Sequence, residues 1–142
     1  DLVEKYDITP QNLNIEITET AIMSDVPNLR EELKQLQQLG FTVEIDDFGS
    51  GYSSLNTLKD IDVDVLKMDM GFLRETENKD KSRIILNSVM KMAKEIGMPV
   101  ITEGVETIEQ VHMLTKMGCD TFQGYYFSKP ISVGEFEQRY MC

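Results

Sequence analysis

Three times along this chain an amphipathic stretch ends at a glycine, a short apolar run follows, and the run stops on a polar residue. Residues 27–39, "PNLREELKQLQQL", put Leu29, Leu33 and Leu36 at helical spacing, with Pro27 near the start and Gly40 directly after the end. A proline in the first turn and a glycine just past the last are the usual bounds of a helix. "FTVEI" then leads to Asp46. Residues 81–96 carry Ile85, Val89, Met92 and Ile96 on one face, Gly97 ends the segment, and "MPVIT" leads to Glu103. Thr107 and Gln110 form a T-x-x-Q capping box for a helix bearing Ile108, Val111 and Leu114, closed by Gly118 before "CDTF" and Gln123. The polar residue comes five or six positions after the glycine each time, so one helix-and-strand unit is being reused.

Two more strands are expected, "LNIEIT" around Glu16 and "VDVLKMD", in which Val63, Val65, Lys67 and Asp69 share a face by period-two alternation. Ser132 and Glu135 cap a final short helix. Short strands alternating with helices imply right-handed crossovers and a parallel sheet. Ligands of such sheets bind beyond the carboxyl ends of the strands. There the sequence leaves Glu16, Asp46, Asp47, Lys67, Asp69, Glu103, Glu106 and Gln123. Carboxylates gathered from several strands, with no histidine among them, suit a hard divalent cation such as Mg2+ or Mn2+. The plainer reading, acids facing the N-termini of the following helices, accounts for single positions but not for Lys67 or Gln123. Asp46 and Asp47 press the point, because neighbouring carboxylates in a low-dielectric site take up a proton or a cation.

Composition narrows the partners. A formal charge of −11 argues against binding a nucleic-acid polymer, which is carried by clustered Lys and Arg. With 142 residues, 41% of them hydrophobic, the chain supports the core of one globular domain. Cys119, in an expected strand, and the terminal Cys142 give no disulfide framework, and the single His112 sits in a helical pattern. The nine methionines, Met68, Met70, Met90 and Met92 among them, read as adaptable core fillers. No apolar run is long enough for a membrane span and nothing resembles a signal peptide. A cytoplasmic location without membrane contact is expected, whether alone or as the cytosolic part of a larger membrane-anchored signalling protein. The start at Asp1, without an initiator methionine, suggests a piece of a longer protein.

"EITE" at 16–19, "DDFGSGYSSL" at 46–55, "KMD" at 67–69, "EGVE" at 103–106 and "QGYYFSKP" at 123–130 resemble, in order and spacing, the motifs of the EAL family of cyclic di-GMP phosphodiesterases. The resemblance runs from about Leu13 to the C-terminus. It implies an α/β fold of the (β/α)8 TIM-barrel type, two bound cations (Mg2+ or Mn2+) and cyclic di-GMP as substrate. Carried over by position, Glu16 and Asp46 would hold the first metal, and Asp46 would reach a second held with Asp47 and Glu103. Shared cations would offset the repulsion between the two aspartates, activate a water and stabilise in-line attack on the phosphodiester. Lys67 resembles the lysine beside that water, as base or orienting group, and Gln123 the glutamine contacting water and substrate. Asp69 resembles a neighbour that positions Lys67, Glu19 the anchor of the loop Phe48, Gly49, Ser50, Gly51 and Tyr52, and Glu106 a supporting acid. In the family that loop links metal binding to dimer contacts.

The name-giving Glu-Ala-Leu segment, whose glutamate is a metal ligand in the family, does not occur in these residues. Asn12 and Asn14 lie too close to Glu16 to replace the family's asparagine motif. A complete barrel takes about 250 residues, so residues 1–142 are expected to be the C-terminal portion of a single EAL-like domain with about five strands. Exposed edges and an uncovered interior would then favour self-association or a homodimer. Hydrolysis of cyclic di-GMP to linear pGpG by the intact domain, with this segment itself silent, is the first functional reading. A non-catalytic cyclic di-GMP receptor is the second, and another Mg2+-dependent barrel enzyme the third. Glu44 shares the strand face of Asp46; it either enters the interior to pair with a cation such as Lys67 or lies in water at the mouth.

Overall fold

Gly40, Gly97 and Gly118 all adopt left-handed backbone, with φ of 95°, 73° and 97°, a conformation that residues with a Cβ rarely take. Each stops a helix where the sequence pattern ends it. At Gly118 the backbone N–H turns back onto the carbonyls of Leu114 and Thr115.

The computed structural model describes residues 2–18, 21–22, 26–49, 58–59, 61–71 and 79–141. Its elements are α1 (Leu2–Lys5), β1 (Asn14–Thr18), α2 (Val26–Gln38), β2 (Thr42–Asp46), β3 (Val65–Asp69), α3 (Lys79–Glu95), β4 (Val100–Glu103), α4 (Ile108–Met117), β5 (Thr121–Phe122) and α5 (Val133–Tyr140). Among the described residues the five strands are parallel and follow one another across the sheet in chain order. An order without reversal has no switch point, so right-handed crossovers carry every connecting helix to the same side. This is the winding of a (β/α)8-type barrel, with the helices outside and the other face of the sheet inside.

Alternation along the strands sorts the residues between the two faces. Val43 and Ile45 of β2 and Leu66 and Met68 of β3 join Leu33, Leu86, Met90, Ala93 and Leu114 in one buried cluster between sheet and helices. Burying each of the larger side chains stabilises the fold by about 1.5–3 kcal/mol. The other parity, Glu16, Glu44, Asp46, Lys67 and Glu103, belongs to the inner face.

The two capping boxes form as expected: Gln110 N–H donates to Thr107 Oγ1 at 3.3 Å and Glu135 N–H to Ser132 Oγ at 3.4 Å. Three expectations are corrected. The buried face of α3 is Ser82, Leu86, Met90 and Ala93, with Val89 half-buried, whereas Ile85 and Ile96 are 41% and 57% exposed. The small Ser82 and Ala93 let this face approach the sheet closely, which the bulkier stripe does not. β3 begins at Val65, with Val63 buried just before it. Cys119 lies ahead of β5, not in a strand, because its N–H still serves the end of α4 by donating to Leu114 O at 3.1 Å. No helix among the described residues is long and apolar enough to cross a membrane.

Candidate active site

Where β2 ends, the chain makes an abrupt turn. Asp47 takes a left-handed conformation, φ 56°, which aspartate tolerates better than most residues because its short side chain can bond locally. Its N–H donates to Asp46 Oδ1 at 3.0 Å, fixing the carboxylate that ends the strand. Phe48, 3% exposed, then donates its N–H to Lys67 O at 3.1 Å, so the loop rejoins β3 as it leaves β2. Gly49 follows with φ 98°. Ser50, Gly51 and Tyr52, and also Glu19, lie outside the described residues.

Similar extensions of the ladder tie the other strand ends together. Met70 N–H donates to Glu103 O at 3.0 Å, and Gln123 N–H to Thr102 O at 2.9 Å. Asp69 Oδ1 accepts from Gly71 N–H at 2.6 Å, and Asp69 faces Glu103 in the register of β3 and β4. Gln110 Oε1 accepts from both Glu106 N–H (2.7 Å) and Thr107 N–H (3.0 Å), so the cap of α4 also holds the turn that follows Glu103. Glu106 is exposed beside it, and Gln123 is exposed at the end of β5. Its successor Gly124 is packed so tightly on Val105 that a Cβ would collide with that residue's backbone.

Lys67 occupies the middle. The side chain comes from the inner face of β3 and is only 4% exposed. Its Nζ stands 2.8 Å from Glu16 Oε1, 2.8 Å from Glu103 Oε1 and 3.6 Å from Asp46 Oδ1, so residues of β1, β2 and β4 converge on one ammonium. Burial alone would lower its pKa, but the contacts with Glu103 and Glu16 and the charge of Asp46 outweigh that and hold it above the ordinary lysine value. Lys67 is therefore an ammonium in this arrangement.

The charges do not balance. Three carboxylates share one cation, and Asp47 and Asp69 add to the same rim. Burial and then the charges of Asp46 and Asp69 push the Asp47 carboxyl above its usual range. Glu103 Oε1 is buried, with the Lys67 ammonium 2.8 Å away as its partner. An oxygen-only donor set in which several carboxylates share a single positive charge fits a hard divalent cation. Among the described residues no three acids already close around a shared centre as a cation cage; they are drawn to Lys67 instead.

Glu44 proves to be an interior residue, 2% exposed, accepting a hydrogen bond from Asn14 Nδ2 at 2.6 Å. Burial is the main cause that raises its pKa, opposed by the charge of Lys67. Asn14 thus has a partner in the sheet interior that spacing alone did not suggest. Its only signal was a shared parity with Glu16, which faces Glu44 in the register of β1 and β2.

The sequence matches the EAL domain family over residues 1–130. It is 39% identical over 138 residues to the signaling protein YkoW of Bacillus subtilis, a match covering 97% of this chain and 17% of that protein. The PaMucR phosphodiesterase in its c-di-GMP complex superposes with a TM-score of 0.86 at 32% identity, over 94% of this chain and 54% of that one. Klebsiella pneumoniae BlrP1, in a manganese and cy-diGMP complex, gives a TM-score of 0.82 at 34% identity, over 90% of this chain and 33% of that one. The chain thus spans less than two thirds of the proteins it matches. With the motif residues of five consecutive strands on one barrel rim, and the family matched over nearly the whole length, the chain belongs to the EAL domain family.

Proposed function

We propose that the domain to which these residues contribute hydrolyses cyclic di-GMP to the linear dinucleotide with the aid of divalent cations. The observation that carries the reading is the convergence of Glu16, Asp46 and Glu103 on Lys67 at the carboxyl ends of adjacent strands. The cyclic dinucleotide bound by PaMucR and by manganese-loaded BlrP1 supports the substrate and the class of cofactor.

Glu16, Asp46, Asp47 and Glu103 would hold Mg2+ or Mn2+, which when bound supplies an activated water and charge stabilisation at the phosphoryl group. Asp46, locked by the Asp47 N–H, presents its carboxylate to both sides of the site. Lys67, held centrally among Glu16, Asp46 and Glu103, stands beside the attacking water as its base or as the group that orients it and a phosphoryl oxygen. Gln123, on the rigid turn made by Gly124 against Val105, meets the substrate side. Asp69 steadies the turn at Gly71 and Glu106 stands beside the cap of α4; by the resemblance of the motifs alone, Glu19 would anchor the loop of Phe48, Gly49, Ser50, Gly51 and Tyr52. A cytosolic homodimer is the proposed setting.

The test is hydrolysis of cyclic di-GMP with Mg2+ and with Mn2+. It compares this chain, the longer protein that contains it, and Asp46→Asn in each. Turnover by the longer protein, abolished by Asp46→Asn, is expected, with the 142-residue chain silent. Binding of the nucleotide without turnover would replace the enzyme by a receptor.

A further inference from the structure

In the outer layer of helices, α4 has two working faces. Val111 and Leu114 pack on the core, whereas Glu109, His112, Met113, Lys116 and Met117, spaced by threes and fours, run along one flank of the helix beside α3. From α3 come Arg83, Ile84 and the shorter Asn87, and an open groove of about 520 Å³ lies between the two helices. Met113 and Met117 give it half-buried apolar surface, and Ile84 adds a side chain that is 67% exposed. Its charge is mainly positive. Arg83 and Lys116 are exposed and, among the described residues, neither is ion-paired. Glu109 lies in the field of His112. In a chain of net charge −11 this is a place where the sign of the surface reverses.

We propose that the groove between α3 and α4 docks an acidic amphipathic helix of a partner protein, which lays an apolar stripe against Ile84, Met113 and Met117 and sets its carboxylates against Arg83 and Lys116. A helix seated in a groove is read through apolar anchors one turn apart, and the ten residues of α4 run about 15 Å, enough for about three turns of a partner. The methionines suit the task because an unbranched thioether adapts to the shape of what is laid on it. Charge decides the class of partner. An acidic helix is repelled by most of this chain and held where the sign reverses, which fixes both place and register. A nucleic-acid polymer would meet the full −11 and leave the apolar side chains unused. The surface belongs to the outer helices, so the inference stands whether or not the domain hydrolyses cyclic di-GMP.

The experiment is fluorescence polarisation of a labelled synthetic helix of about 18 residues, with leucines along one face and glutamates on the other, titrated with the full chain. A second peptide replaces every glutamate by lysine. Arg83→Glu, Lys116→Glu and Ile84→Ser alter the groove, and Lys34→Glu makes the same charge change at an exposed site on α2. The acidic peptide is expected to bind in the micromolar range, and the basic one at least about tenfold more weakly. Each charge reversal in the groove is expected to weaken the acidic peptide by about tenfold and Ile84→Ser by several-fold, with Lys34→Glu close to the parent chain. Should a variant fail to fold, photo-crosslinking of the acidic peptide to the unaltered chain decides, with adducts expected on α3 and α4. Absence of binding, equal binding of the two peptides, an equal effect of Lys34→Glu, or adducts elsewhere would overturn the proposal. So would binding of phosphatidylglycerol vesicles in place of the peptide, lost in Lys116→Glu, which makes the groove a lipid surface. A sedimentation profile of the chain alone that collapses to monomer in Lys116→Glu would give the groove to a second copy and remove the partner helix.

Discussion

Glu44 and Lys67 are buried titratable groups whose pKa values are both raised, yet the consequences for stability fall in different pH ranges. For Glu44 the raised value favours the neutral acid in the folded chain. That stability is full below the ordinary 4.5 and is lost as pH rises through the folded value. Glu44→Gln, which keeps the acceptor for Asn14, is expected to flatten the loss of stability between acid and neutral pH, as urea melts across that range would report. For Lys67 the contribution is full below 10.5 and disappears as pH climbs through its higher folded value. The alkaline limb of a stability profile is therefore expected to steepen above 10.5 in the parent chain and to move in Lys67→Met. At this scale the sequence identifies which acids stand at strand ends, because alternation and glycine positions number the face. It does not say that Lys67 gathers Glu16, Asp46 and Glu103, since a four-carbon stem reaches several neighbours and only the twist and register choose among them.

The elements carry their own lesson in α3. Its sequence offers apolar residues almost all round, Ile84, Ile85, Leu86, Val89, Met90, Met92, Ala93 and Ile96, so helical spacing is satisfied by more than one stripe. Packing chooses the stripe with small residues, and Ala93 ends with no exposed surface while Ile84 is 67% exposed. Ala93→Leu is thus expected to cost about 1–3 kcal/mol by overpacking, and Ile85→Ser no more than about 0.5 kcal/mol, both measured by denaturant melts. A larger cost for Ile85→Ser would restore the stripe expected from the sequence. The ends of the helices were easier to read. Thr107 and Gln110 satisfy each other's backbone N–H groups, and Thr107→Ala is expected to cost about 1 kcal/mol. Because Gln110 also accepts from Glu106 N–H, that variant should loosen the turn after Glu103, seen as faster amide exchange at Val105 and Glu106.

On the scale of the whole molecule the sheet runs from β1 to β5 without closing, and the side chain of Glu16 on β1 is 51% exposed. Leu2, Tyr6, Tyr125, Phe127 and Tyr140 are also more than half exposed. Open edges and uncovered apolar residues favour association. Light scattering on the isolated chain is expected to report species larger than a monomer, and a monodisperse monomer with one sharp melt would count against it. The barrel-type winding was legible in the repeat because each unit contains its own stop signal. The short β5 was less so, as two residues leave little period to detect.

The order of the strands bears on how the chain is made as well as on what it holds. Each of β2 to β5 finds its hydrogen-bonding partner in the strand synthesised just before it. Emerging from a ribosome, the chain can grow its sheet one unit at a time, each of β2 to β5 meeting a strand already made. The ligand rim would then be laid down in the sequence Glu16, Asp46, Lys67, Glu103, so the ammonium arrives while its carboxylates are still gathering and no large uncompensated charge needs to be buried during synthesis.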